Sequence, residues 1–220
     1  MSNVVIVGSS GHASVIVDII NVEGKYNIVG FIDDFRKVGD TTLEIPVLGS
    51  SKDLPNLIKK YTLNGIIIAI GDNFIRKKVT SEIKIISPNL NFINCIHPSA
   101  IISKNVVIRE GTVVMAGSII NPSVIIGAFC ILNTNSSIDH DSEMLDFSSL
   151  APNVSTGGGC SIGELSSIGI GSTLKHGIKI GNNTVIGAGS LVLKDIENNV
   201  VSYGVPTKII RTRKVNDRYL

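Results

Sequence analysis

From residue 96 to residue 192 an aliphatic side chain returns at nearly every sixth position, with no insertion to break the count. The series runs Ile96, Ile102, Ile108, Val114, Ile120, Ile126, Leu132, Ile138, Met144, Leu150, Thr156, Ile162, Ile168, Leu174, Ile180, Ile186, Val192, and Thr156 alone departs from it. Four residues after each site stands a small or β-branched residue, such as Thr112, Ser118, Cys130, Ser166 or Thr184. A period of six matches neither an amphipathic helix, with 3.6 residues per turn, nor a plain alternating strand. It matches a solenoid in which a short strand and its turn together consume six residues. Three such faces make a coil of 18 residues, so this stretch predicts between five and six coils. At strand spacing that is a prism about 25 Å long, its axis filled by the aliphatic series. Gly127, Gly163, Gly169, Gly181 and Gly187 follow the inward sites and are expected at corners, where a Cβ would crowd a neighbour or the backbone needs φ > 0. The open end of such a stack needs a cap, a role open to residues 200–220.

Residues 1–95 have another rhythm. Val4–Val7 reads as a strand, followed by Gly8-Ser9-Ser10-Gly11-His12 and a helical stretch to Ile20. Residues 27–32 form a second predicted strand ending in Asp33-Asp34, and residues 66–70 a third. Helices are predicted from a cap at Ser51 or Asp53 to about Lys60, and over residues 73–86; a last strand covers 92–96. Strands alternating with helices imply a small parallel α/β sheet, half of a full dinucleotide fold. The expected division is an α/β domain over 1–95, a parallel β-helix over 96–199 and a terminal segment over 200–220.

Composition narrows the function classes. Hydrophobic residues make up 43% and charged residues 17% of the 220, which disfavours disorder. A net charge of +2 does not suggest a nucleic-acid binder. No apolar run is long enough for a membrane span, and no basic leader precedes Val4, so a cytoplasmic protein is expected. Three cysteines cannot all pair, and Cys130 and Cys160 fall on the small-residue series, which reads as buried thiols.

Two places carry candidate chemistry. A strand, a Gly-rich turn and a helix start make an anion site, because free N–H groups and the helix dipole converge there. Gly8, Ser10, Gly11 and His12 stand at that turn, and Asp33 and Asp34 end the next strand, where an acid can take ribose hydroxyls or a base edge. His12 reads equally as a phosphate donor or as a polar residue opening a helix. The third strand runs into Gly71-Asp72-Asn73 at the same sheet edge. On the solenoid, Asp139-His140-Asp141 follows the inward Ile138, so the imidazole faces outwards beside a carboxylate able to orient it. A surface histidine between solubilising acids is the competing reading. His140 and His176 lie two coils apart, too far to share one metal within a chain.

The stretches Gly8–His12, Phe31-Ile32-Asp33-Asp34, Ala69–Asn73 with Arg76, Ile96-His97-Pro98-Ser99-Ala100, Ile138–Asp141 and Gly204-Val205-Pro206-Thr207-Lys208 resemble the hexapeptide-repeat acyltransferases, and within them the sialic-acid O-acetyltransferase and nucleotide-aminosugar N-acetyltransferase group. The resemblance implies a left-handed β-helix, a homotrimer with active sites between subunits, and acetyl-coenzyme A as co-substrate without a metal. It implies that Gly8, Ser10, Gly11, His12, Asp33, Asp34, Gly71 and Asn73 contact a UDP- or GDP-linked amino sugar. It makes His140 the general base and Asp141 its partner, and places Ser149, Gly158, Ile170, Gly187 and Ala188 against the cofactor. Thr207 replaces the usual alanine of the terminal motif. The implied reaction is direct acetyl transfer to an amine, with the 4-amino group the expected one, and with no acyl-enzyme. Its rivals are sialic-acid O-acetylation, a zinc-dependent hydratase and a non-catalytic nucleotide-sugar sensor.

Overall fold

The computed structural model describes residues 1–218, which separate into two units. The first comprises residues 1–71 and 75–98; the second comprises residues 72–74 and 99 onward.

The first unit is a sheet with helices, parallel except for one antiparallel pair at its edge. Strands β1 (Ser2–Val7), β2 (Tyr26–Ile32), β3 (Thr41–Thr42), β4 (Ile45–Gly49) and β5 (Gly65–Ile68) lie in the order β3-β4-β2-β1-β5. β1 is an interior strand, paired in parallel with β2 and β5, so Val4, Val5 and Ile6 are fully buried, as both faces of a parallel sheet must be covered. Helix α1 (Gly11–Glu23) buries Ala13, Ile16, Val17, Ile19 and Ile20 and ends at Gly24 in the left-handed conformation, φ 68°. Ser50, one residue before the expected cap Ser51, forms a capping box with Asp53, the other expected cap; a 3₁₀ turn over Ser51–Asp53 leads into α2 (Leu54–Tyr61). The predicted third helix occurs as α3 (Asn73–Ile86). The hairpin β3–β4 was not expected, because Pro46 within five residues obscures a strand read by alternation.

The second unit is a left-handed parallel β-helix of two-residue strands on three walls. Its register advances by 18 residues: Ile119 pairs with Ile101 and Ser137, and Ile125 with Val107 and Glu143. Each inward site from Val114 to Val192 is buried, Thr156 included. Ile102 and Ile108, on the first coil, are only partly covered because a terminal coil has a neighbour on one side alone.

The second, small-residue series also has a physical reason. Its hydroxyls turn back into the wall and satisfy the corners. Thr112 Oγ1 donates to Gly127 O (2.9 Å) and accepts from the amide of Cys130 (3.1 Å); Ser172 Oγ repeats this with Gly187 O (2.9 Å) and the amide of Ser190 (3.3 Å). A buried hydroxyl that both donates and accepts costs little. Cys130 and Cys160 occupy the same series as buried free thiols.

The corner glycines work through space rather than through φ. A Cβ on Gly163 would lie 2.5 Å from the carbonyl of Gly181 in the next coil. The left-handed residues fall two positions later, at every sixth residue, and include Phe129, Asp141, Phe147, Asn153 and Gly159. Phe129 and Phe147 occupy successive turns of one corner and stack with centroids 5.0 Å apart. At the far end, strand Val200–Gly204 pairs in parallel with Val185–Ile186 and folds back as a hairpin with Thr207–Thr212. Those strands extend a wall of the stack; residues 219 and 220 of the expected cap lie outside the described chain.

Candidate active site

In the first unit a cavity of about 280 Å³ opens at the carboxyl ends of the strands. Gly8, Ser10, Asp33, Asp34 and Gly71 line it together with the apolar Val7, Ile32, Ile70, Ile75 and Val79. β1 ends in Gly8 at φ +89°, with the carbonyl of Ala69 only 3.1 Å from where a Cβ would be, so the turn admits only glycine without strain. Ser10 is the N-cap of α1 without a side-chain cap bond, and the first turn holds no acid, so the helix start is left for an anion.

The two aspartates are already engaged. Asp33 accepts the hydroxyl of Ser9 at 2.6 Å and the amides of Ser9 and Phe35 at 3.1 and 2.9 Å. Partial burial pushes its carboxyl up, but these bonds outweigh burial and hold it below the ordinary carboxylate range. Asp34 accepts both the amide (2.7 Å) and the hydroxyl (3.0 Å) of Ser51. Each carboxylate thus fixes a loop of the cavity and still has unused lone pairs to offer a ligand.

Five residues depart from the expected roles or were not assigned one. His12 is absent from the cavity wall, as is Gly11. Burial, then the charge of Arg76, lowers the His12 pKa to about 4, so the ring is neutral; its Nε2 is buried without a hydrogen-bond partner among the described residues. Arg76 is buried and donates to the carbonyls of Ile70 and Gly71, both at 2.9 Å, bracing the loop from behind. Arg36 reaches the other side of the turn, donating to Ser9 Oγ (3.2 Å) and Thr42 Oγ1 (2.6 Å). Phe35 lines the cavity yet is 100% exposed. An arginine four residues past the strand and an aromatic just after the acids were the available signals. A larger hollow, about 440 Å³, lies beside Pro55 and Leu90, but Lys59 is the one charged residue in its wall.

In the second unit His140 sits at a corner of the β-helix. Its Nδ1 is 2.7 Å from Asp141 Oδ2, and both side chains are exposed (58% and 67%). With Nδ1–H donated to the carboxylate, Nε2 keeps its lone pair and has no hydrogen-bond partner among the described residues. Asp139 Oδ1 accepts the His140 amide at 2.8 Å and Asn121 Nδ2 at 2.7 Å. The hydrogen bond that the ring donates to Asp141, then the charge of Asp139, raises the imidazole above its ordinary pKa. One coil on lies Gly158, and a Cβ there would come within 2.6 Å of both Cε1 and Nε2 of the ring. The Nε2 edge of the imidazole therefore packs against a residue that has to be glycine. Gly157 and Gly159 donate their amides to Leu174 O and His140 O; the Gly158 amide has no acceptor among the described residues.

Of the residues expected near a cofactor, Ile170 (56% exposed) and Ala188 stack on successive coils at the corner next to that of His140. Gly187 lies under Tyr203, whose Cβ is 2.7 Å from the missing Cβ. Ser149 is buried and bonds to Ser167 Oγ (3.2 Å). Asn73 falls in the second unit, apart from the Gly8 cavity lining: its buried amide donates to Ser149 Oγ (3.2 Å), Leu165 O (3.3 Å) and Ser166 O (3.1 Å). Among the described residues no cluster of histidine, cysteine and acids is arranged to hold a metal, and no helix is long and apolar enough to cross a membrane.

Comparison with known proteins places these features in context. Residues 3–83 match the PglD N-terminal domain and residues 159–194 the bacterial transferase hexapeptide, six repeats. The chain is 37% identical over 116 residues to a UDP-N-acetylbacillosamine N-acetyltransferase of Bacillus subtilis; the match covers 53% of this chain and 52% of that relative, about half of each. Among solved structures, a histidine-to-alanine variant of GDP-perosamine N-acetyl transferase from Caulobacter crescentus, in complex with CoA and GDP-perosamine, superposes with a TM-score of 0.90. That pair is 34% identical, and the match covers 96% of this chain and 98% of the other. The acetyltransferase domain of PglB from Neisseria gonorrhoeae, in complex with acetyl coenzyme A, superposes with a TM-score of 0.87 at 29% identity, covering 94% and 98%.

Proposed function

Because the chain belongs to the NeuD/PglD-like family of hexapeptide-repeat acyltransferases, we propose that it transfers acetyl from acetyl-CoA to the 4-amino group of a nucleotide-linked amino sugar. The observation that carries this reading is the exposed His140, fixed through Nδ1 by Asp141 and open at Nε2.

The α/β unit, residues 1–95, takes the nucleotide. Gly8, Ser10 and the free start of α1 suit its phosphates, with Arg36 and Arg76 supplying positive charge; Asp33, Asp34 and Gly71 suit ribose and base. At about 280 Å³ the cavity matches a nucleoside better than a whole nucleotide sugar, so the sugar projects from it. The β-helix, residues 96–199, supplies the chemistry. His140 Nε2 removes the proton that the amine loses as it attacks, while Asp141 steadies the imidazolium. The unspent amide of Gly158, beneath the ring, is assigned to the oxyanion. Acetyl-CoA supplies the activated acyl group. Ile170 and Ala188 offer an apolar strip for it one corner away from His140, which supports a homotrimer in which one protomer's strip meets its partner's base. Buried Cys130 and Cys160 are poorly placed as nucleophiles, and burial raises the Cys160 thiol, so no acyl-enzyme is invoked.

The test is acetyl-CoA with a panel of UDP- and GDP-linked 4-amino sugars, read by thiol release. Turnover confined to free sialic acid would replace the reading with O-acetylation, and binding without thiol release would leave a sensor.

Two further outcomes follow from the geometry. The neutral imidazole is the base, so kcat/KM falls as pH drops through its folded pKa, which stands above the ordinary 6.5. Asp141→Asn removes the charge and the charge-assisted bond, so the acidic limb moves down towards 6.5. The substrate amine contributes equally to both profiles, so their difference isolates His140; superimposable profiles would separate Asp141 from its tuning. The second concerns Phe35, whose fully exposed apolar ring has no ring partner among the described residues. If it stacks on the base, Phe35→Ala raises KM for the nucleotide sugar roughly tenfold or more, with kcat nearly unchanged. Isothermal titration with the free nucleoside diphosphate checks this, and unaltered affinity would remove Phe35 from the site.

A further inference from the structure

Thr156 is the one inward site without an aliphatic side chain, and it is buried like the rest. A hydroxyl on the axis of an apolar stack is costly unless bonded. Its partner is the amide of Asp139, which donates to Thr156 Oγ1 at 3.2 Å. That bond is irregular for this fold. Elsewhere the residue after an inward site donates its amide to the main-chain carbonyl of the inward residue one coil on. Asn121 does so to Ile138 (3.1 Å), Asn133 to Leu150 (3.0 Å) and Gly157 to Leu174 (2.9 Å). The ladder registers the difference. Strands one coil before and one coil after pair through both residues, Ile119 with Ser137 and Ile120 with Ile138, then Ser155 with Thr173 and Thr156 with Leu174. Between them Ser137 pairs with Ser155, and Ile138 has no ladder partner in Thr156.

The irregular rung lies beside the proposed base. The peptide it displaces leads from Ile138 to Asp139, whose carboxylate in turn holds the His140 amide and is itself held by Asn121. On the other strand Thr156 leads directly into Gly157 and Gly158, over which the ring lies. One hydroxyl thus touches both halves of the arrangement.

We propose that Thr156 is a positioning residue for His140: its hydroxyl stands in for a ladder carbonyl, takes the Asp139 peptide out of register, and so sets the direction in which the imidazole leaves the corner over Gly158. The proposal rests on His140 as the general base and deepens that reading.

The test uses the full chain with Thr156→Val, which keeps the shape and removes the hydroxyl, and Thr156→Ser, which keeps the hydroxyl and removes a methyl. For Thr156→Val, kcat falls about 10- to 100-fold, KM for both substrates stays within about twofold, and Tm holds or rises because an apolar group now lines the axis. For Thr156→Ser, kcat stays within about threefold of the parent although Tm falls. A merely structural role moves the two the other way, with valine harmless and serine impaired. Parental kcat in Thr156→Val, or equal loss of kcat in both variants, overturns the proposal. Crystal structures of the parent and Thr156→Val give a reading independent of turnover: a ring moved by about 1 Å or more supports it, and an unmoved ring overturns it. If His140→Ala retains activity, the base assignment fails, and the ring position still decides the role of Thr156.

Discussion

His140→Ala is expected to lower kcat by about 10²–10⁴ while leaving the fold intact, the range over which a positioned general base contributes. The size of the loss follows from what the ring does and does not touch. Its side chain is 58% exposed and its one recorded side-chain bond is to Asp141, itself 67% exposed. Removing an exposed pair of this kind alters stability little, because solvent already screens it. The β-helix keeps its buried series, so circular dichroism and Tm should match the parent. The affinity for nucleotide should also hold, since the cavity around Gly8 and Asp33 belongs to the other unit. Thiol release under saturating acetyl-CoA and nucleotide sugar measures the effect. Turnover within a few-fold of the parent would remove His140 from the chemistry, and the exposed imidazole between Asp139 and Asp141 would then be a solvated corner.

Gly158→Ala should disable the enzyme nearly as well, through displacement rather than deletion. The added Cβ would stand 2.6 Å from Cε1 and Nε2 of His140 and 3.0 Å from Cδ2, about 1 Å inside ordinary contact. The Gly158 backbone is not in the left-handed region, so alanine meets no conformational penalty there. The ring is the part free to move, because it is exposed and only Asp141 restrains it. A base moved by about 1 Å costs on the order of 10²-fold in kcat. The predicted pattern is a kcat lowered by about that factor, an unchanged Tm, and normal binding of the nucleotide sugar. Lost stability with normal turnover per folded molecule would mean that Gly158 serves coil packing alone. Compared with His140→Ala, this variant asks whether the position of the imidazole matters, and not merely its presence.

Much of the architecture was legible because spacing is a strong signal. A count of six repeated over 17 sites, with its small-residue companion, leaves few folds able to bury it, and the observed register of 18 residues is that count taken three times. The alternation of strands and helices before residue 95 was readable for the same reason, apart from the β3–β4 hairpin. The candidate site was only partly legible. Gly8, Ser10, Asp33, Asp34 and Gly71 meet in one cavity, as strand ends in a parallel sheet should. His12, adjacent to that turn, has its Nε2 buried because the helix carries it round to another face, a rotation of about 100° per residue that a motif does not display. Asn73, two residues beyond Gly71, closes hydrogen bonds within the solenoid instead. The bracing contacts of Arg36 and Arg76 to the loops beside the cavity were not legible, Arg76 having been noted only as part of the resemblance, because they depend on where loops return.

By itself, then, the order of residues determined the two kinds of architecture, the coil length, the inward series and the placing of His140 beside Asp141 on an outer corner. These depend on periodicity and on immediate neighbours, and local geometry transmits both directly. The tertiary structure alone decided that the imidazole lies over Gly158, that the Asp139 amide turns to the Thr156 hydroxyl, and that Arg76 braces the cavity loop from behind. Those contacts join residues 17 or 18 apart in adjacent coils, or the start of a helix to the loop it caps, and their geometry is set by packing to within an ångström. Spacing places two residues on the same face; only a closed, fully packed chain determines which atoms touch.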